Sequence, residues 1–220
     1  MSSLLPPPIA HTGPARNESS ARAAHRREWI AKLALESLLI VLSVVLGLAL
    51  NEARQKRADA ELARTVLANF RREIEQNLAT LEQVQPRHAL LAGRLREAAS
   101  ERRGEPTAFA VFAASMPEGG LGDATLREAA WQTASSTGAL RLLDYGTASR
   151  ISEVYSLQHT SVGPTVQRVL DRVLSPDTFD PARKDVMIQA VHMQIQELSG
   201  QEAYLIGVYR RTLKALPAKR

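Results

Sequence analysis

A chain of 220 residues that is 45% apolar has material for one domain and its appendages, while 12 glycines are few for an all-β chain with many tight turns. Cysteine is absent, which excludes disulfides, thiolate metal sites, a cysteine nucleophile and a lipid-anchor cysteine. The net charge of +5 is thinly spread, with acids interleaved almost everywhere, which argues against a nucleic-acid interface.

In chain order, residues 1–28 open with a stretch rich in Pro, Ser and Ala that has no hydrophobic period, and they read as a disordered cytoplasmic tail. "WIAKLALESLLIVLSVVLGLAL" follows, 22 residues from Trp29, or about 33 Å of helix. Only Lys32 and Glu36 interrupt it, four apart on one face near one end, and from Leu38 to Leu50 there is no polar stripe. A soluble core helix would show such a stripe. A cleaved signal would show small residues just beyond the run, where "NEARQKR" stands instead. The expectation is a transmembrane helix over 29–51, ahead of both rivals. Ser43 and Gly47 form a small-xxx-small pair with Asn51 one turn further on, a candidate helix–helix contact in the membrane and a route to a homodimer. The short polar N-terminus favours the cytoplasm for itself and the periplasm for 52–220, across a bacterial inner membrane.

Residues 52–103 read as an amphipathic helical stalk. Leu62, Val66, Phe70, Ile74, Leu78 and Leu81 make its apolar face, with Glu73, Glu75, Arg71 and Arg72 on the others. Pro86 is expected to end or kink it, with a second segment from His88 to Arg103. The helical domain then occupies 104–220. "SMPEGGLGD" reads as a turn, and Thr125-Leu126-Arg127-Glu128 as a capping box opening a helix, with Asp123 as the alternative cap. Gly138 should break that helix. The next begins after Asp144, carries Ile151, Val154, Tyr155, Val162, Val166, Val169 and Val173, should kink at Gly163-Pro164, and ends at Ser175-Pro176. Asp180-Pro181 offers an N-cap with proline at the first position of a last helix. Its face is Met187, Val191, Ile195, Leu198, Leu205, Tyr209 and Leu216. The fold class is all-α: an N-terminal transmembrane helix continuing into a stalk, then an antiparallel helical bundle.

The span "E-x-LLIVLSVVLGLALNE", the charged "LANFRREIEQNLATLE", and "W-Q-T-A-x-x-TGAL-x-LLDY" followed by "IS-x-VY" together resemble a group of uncharacterised bacterial single-pass membrane proteins with a helical domain after the span. The resemblance covers roughly residues 28–160. It implies the topology and supplies no catalytic residue. Ala53 stands where the group carries an aromatic just after the span.

The chemistry-bearing residues form no motif. None of His11, His25, His88, His159 and His192 stands in an H-x-x-x-H or E-x-x-H pattern, and no G-x-S-x-G surrounds a serine. His192, inside the last helix, reads as a packed or rim histidine. Trp131, Tyr145 and Tyr155 are candidates for a pocket wall or for helix packing, with packing favoured by the small residues around Trp131. The expectation is therefore no enzyme, no catalytic or metal residue, no cofactor and no nucleic-acid partner. What remains is a membrane-bound interaction or scaffold protein of the envelope with an unspecified protein partner. Its rivals are a periplasmic ligand-sensing domain and a soluble cytoplasmic helical protein.

Overall fold

The computed structural model describes residues 17–101, 104–122 and 125–217. Among them every regular element is helical: α1 (Asn17–Glu101), α2 (Ala108–Ser115), α3 (Ala129–Ser136), α4 (Tyr145–Leu157), α5 (Gly163–Val173) and α6 (Lys184–Ala215), with single 3₁₀ turns and one π-helical turn between them. The chain falls into two units, Met1–Ala58 and Asp59–Arg220. The all-α class is as expected.

In the first unit α1 contains an 18-residue window of mean hydropathy 2.5, none of it buried. Among the described residues one helix is thus long and apolar enough to cross a membrane, and its apolar window is not covered by the rest of the chain. Helix begins at Asn17, so the expected disordered tail gives way before residue 28. Residues 1–16 lie outside the described part.

The second unit has its own core. Besides Val66, Glu73 and Ala92, the buried positions along α1 are Phe70, Ile74, Asn77, Leu81, Val84, His88, Leu91, Leu95 and Ala98. They alternate by four and three residues, the spacing that keeps one stripe of a helix facing its neighbours. Leu62, expected on this face, is 48% exposed, and Glu73, expected on another face, is buried. The expected end at Pro86 is not there: α1 runs through it to Glu101. Proline removes one backbone hydrogen bond and strains the turn before it, a cost of about 3 kcal/mol. Pro86 is itself exposed, and the buried residues on either side of it, Leu81, Val84, Leu91 and Leu95, belong to the same core, which offsets that cost.

α6 repeats the pattern with Met187, Val191, Ile195, Leu198, Glu202, Leu205, Tyr209, Thr212 and Leu216, all buried. The two helices are antiparallel within this unit. Arg71 donates to the Leu216 carbonyl, Arg210 to Glu82, Gln85 to Ser199, and His88 to Glu202, so the low-numbered end of this stretch of α1 meets the C-terminal end of α6 and its later residues meet the middle of α6. α2, unforeseen in the sequence, is a nearly wholly apolar turn capped by Thr107, whose hydroxyl accepts from the Ala110 N–H. Its Phe109 stacks on Phe179 with centroids 4.6 Å apart.

The ends of α3 to α6 follow local chemistry with two differences. Gly138 terminates α3 in the left-handed region, and Asp144 caps α4 by accepting from the Thr147 N–H, which holds its carboxyl below the usual range. The expected capping box does not form, since α3 starts at Ala129 and the Glu128 side chain makes no capping bond to its first amides. Asp123 lies outside the described residues. Asp180 caps a 3₁₀ turn, Pro181–Arg183, and α6 proper begins at Lys184.

Candidate functional site

Three polar residues interrupt the buried face of α1, and each meets a different element. Glu73 accepts the Tyr155 hydroxyl at 2.6 Å through one carboxylate oxygen and the Ala130 N–H at 2.9 Å through the other. The missing capping box is explained by this contact, because a carboxylate from another helix serves the exposed amides at the start of α3. Burial pushes the Tyr155 hydroxyl well above its ordinary range, with Glu73 adding to it, so the phenol stays a donor. Asn77 pairs in both directions with the backbone of Arg127 at 2.8 Å, clamping the segment before α3 onto α1. Gln158 completes the group: its side-chain oxygen accepts from the Tyr209 hydroxyl at 2.8 Å.

His88 is the third interruption. Its Nδ1–H donates to both carboxylate oxygens of Glu202, at 3.0 and 2.9 Å, and a carboxylate acceptor defines which ring nitrogen carries that proton. His88 is 3% exposed and Glu202 is fully buried. Among the described residues no hydrogen bond engages the other ring nitrogen, Nε2, and His88 lines a cleft of about 650 Å³.

That cleft is opened by a backbone irregularity. Between α4 and α5 the chain makes a π turn, Gln158–Val162, in which the Gly163 N–H bonds back to the Gln158 carbonyl. The reason lies in Pro164, which has no N–H to continue an α-helical ladder. The kink expected at Gly163-Pro164 is realised in this form. A Cβ on Gly163 would stand 3.1 Å from the Gln158 carbonyl oxygen, so the tightened path suits glycine. Facing the π turn are Leu121 and Gly122 and, further on, Thr125, Leu126 and Glu128, held on α1 by the Asn77 clamp and by Gly122. At φ +81° Gly122 is left-handed, and a Cβ there would meet Val84 at 2.9 Å.

The walls of the cleft are mainly Leu121, Leu126, Val162, Val166, Val169 and Leu198, and the nearly buried His88 also lines it. At its rim His159 Nε2 lies 2.7 Å from a Glu128 oxygen, and Gln132 donates to the other oxygen of that carboxylate. No Lys or Arg lines it among the described residues. No group of three or more His, Asp or Glu able to hold a metal occurs among them either.

The residues singled out in the sequence lie elsewhere. Tyr155 is in the core, with Trp131 stacked on it at 5.3 Å and Phe70 at 5.8 Å. Trp131 and Tyr145 line a separate shallow depression, in which Tyr145 is 89% exposed. Ser43, Gly47 and Asn51 belong to the first unit and share an exposed face, the Ser43 hydroxyl donating to the Leu39 carbonyl. His192 is partly buried, and burial, reinforced by Arg96, holds its imidazole below the ordinary range. The signal that would have found the His88–Glu202 pair is the stripe itself: a histidine and a glutamate each stand where the repeat calls for an apolar residue.

No family model, curated protein or solved structure matches this chain.

Proposed function

We propose that this is a non-catalytic, single-pass membrane protein whose helical domain acts as a binding module at the bacterial envelope. The observation that carries the reading is the contrast in burial between two apolar stretches. Residues 38–50 carry apolar side chains on every side of the helix and none is covered by the chain, whereas the domain from Asp59 onward buries its own core. Such a segment is satisfied by lipid, because only a helix that completes its own backbone hydrogen bonds can sit in hydrocarbon with no water. Arg26 and Trp29 on one side and Arg54, Lys56 and Arg57 on the other suit the two headgroup regions. In this reading the N-terminus is cytoplasmic and residues 52–220 are periplasmic. The Ser43, Gly47 and Asn51 face brings two spans together.

Because the chain is free of cysteine, one substitution tests the topology. Ser100→Cys places a thiol at an exposed position whose hydroxyl bonds only the Glu97 carbonyl of its own helix. Intact cells are treated with a membrane-impermeant maleimide, with lysed cells as the control. Labelling in intact cells, on a full-length protein retained in the membrane fraction, is the expected result. Labelling only after lysis puts the domain in the cytoplasm, and a soluble or shortened product removes the anchor.

The cleft favours a ligand-sensing role for the domain over a purely scaffolding one. A scaffold needs exposed surface, whereas a concave apolar site with one buried polar group suits a small molecule.

A further inference from the structure

We propose that the cleft beside the π turn binds an uncharged, largely apolar small molecule bearing one hydroxyl, with that hydroxyl seated on Nε2 of His88. The inference deepens the reading of the domain as a binding module and is independent of which side of the membrane it occupies. Three observations combine. First, the site is built: His88 is 3% exposed, is held by fully buried Glu202, has a second ring nitrogen unengaged by the described residues, and lines a cleft of about 650 Å³. A carboxylate gripping one nitrogen fixes the ring and aims the other, as in orienting pairs behind ligand-binding histidines. Second, the walls are leucine and valine, which suit an apolar body. Third, the charges are already matched. Glu202 accepts from His88, and Glu128 is taken by His159 and Gln132, while no Lys or Arg lines the cleft among the described residues.

Head-group selectivity follows from that third point. Among the described residues a carboxylate in the cleft would meet no Lys or Arg, and an ammonium would find Glu202 and Glu128 already paired. A hydroxyl escapes both penalties. With Nδ1–H committed to Glu202, Nε2 accepts a proton when the ring is neutral and donates one when it is charged, and a hydroxyl can serve either way.

Three water-soluble probes with one apolar tail test this: 4-phenylbutan-1-ol, 4-phenylbutyrate and 4-phenylbutylamine. Each is equilibrated by dialysis against the full-length protein in nanodiscs, with empty nanodiscs as the blank for lipid partitioning. The alcohol should bind in excess of the blank, about tenfold or more tightly than the acid or the amine, the ratio one hydrogen bond or one unpaired charge supplies. Val166→Trp, which fills the cleft from its partly buried wall, should abolish the excess. The paired replacement His88→Leu with Glu202→Leu should remove the preference for the alcohol while leaving an apolar core. A helical melt checks that each variant is folded, and Val166→Trp decides the matter if the double variant is not.

Absence of excess binding, excess that survives Val166→Trp, or preference for the acid or the amine would each overturn the proposal. Failure of the maleimide test leaves these outcomes unaffected, so the two readings fail separately.

Discussion

From Leu38 to Leu50, α1 is apolar on every side, whereas from Phe70 to Ala98 its buried residues keep to one stripe spaced by four and three. Both stretches are the same kind of secondary structure. On the function proposed above, the difference lies in what surrounds them. A helix in hydrocarbon meets the same medium on all faces, so no face need be polar. A helix against a bundle meets protein on one side and water on the other, so its pattern divides. The divided stretch also tolerates Glu73, Asn77 and His88 on its buried side. Each has a partner held in place by tertiary structure, and a lone buried polar group would not be offset.

The contrast can be broken at several strengths. The largest effect is expected from Phe70→Ala, which removes a fully buried ring packed on Tyr155 and should cost the domain about 3–5 kcal/mol. Thermal melts should fall steeply while membrane retention is unchanged. Leu42→Arg should do the reverse. A charge near the middle of the apolar run disfavours insertion by about 2.5–3.5 kcal/mol, so fractionation should show loss from the membrane with the melt of the domain intact. If the two readouts move together in either variant, the separation of the regions is wrong.

Within the domain, Tyr155→Phe keeps the ring and deletes the hydroxyl that Glu73 accepts, an expected loss of about 1.5–3 kcal/mol. The same hydroxyl has a pH signature. Burial raises it above its ordinary range, so the folded state holds its proton more tightly than the unfolded chain does. Its contribution is complete below the unfolded tyrosine range, near pH 10, and declines as the pH climbs beyond that. Tyr209 shares that direction through burial, so Tyr155→Phe should reduce, without abolishing, the alkaline fall in stability.

The smallest effect concerns His192. Burial and Arg96 lower its affinity for a proton in the folded state, so the unfolded chain binds protons more readily. Its contribution is full above the ordinary histidine range, near pH 6.5, and is lost as the pH falls through that range. His192→Gln should flatten the melting temperature slightly between about pH 7 and 5. An unchanged acid slope would mean the imidazole is solvated alike in both states.

Much of this was readable beforehand, and what was missed shares a cause. The turns at Gly138, Asp144 and Ser175-Pro176 were legible because capping and proline chemistry act within a few residues. Glu73 reads as lying off the apolar face because a carboxylate between Arg72 and Ile74 looks like surface until Tyr155, 82 residues later, is placed against it. The capping box at Thr125–Glu128 failed for the same reason, since the Ala130 amide found a better acceptor on another helix. Pro86 was weighed by its local cost alone, without the core that holds both flanks of the helix.

What the amino-acid sequence determined unaided is what depends on short-range periodicity and composition: the all-α class, the apolar run near the N-terminus, and the buried face of the last helix. Tertiary structure alone decided the polar contacts. The pairing of His88 with Glu202, 114 residues apart, and the cleft beside Gly163-Pro164 exist only once α1 and α6 lie antiparallel and the π turn opens a gap. A hydrogen bond needs two atoms within about 3 Å, and no local spacing reports which distant atoms the fold will bring that close.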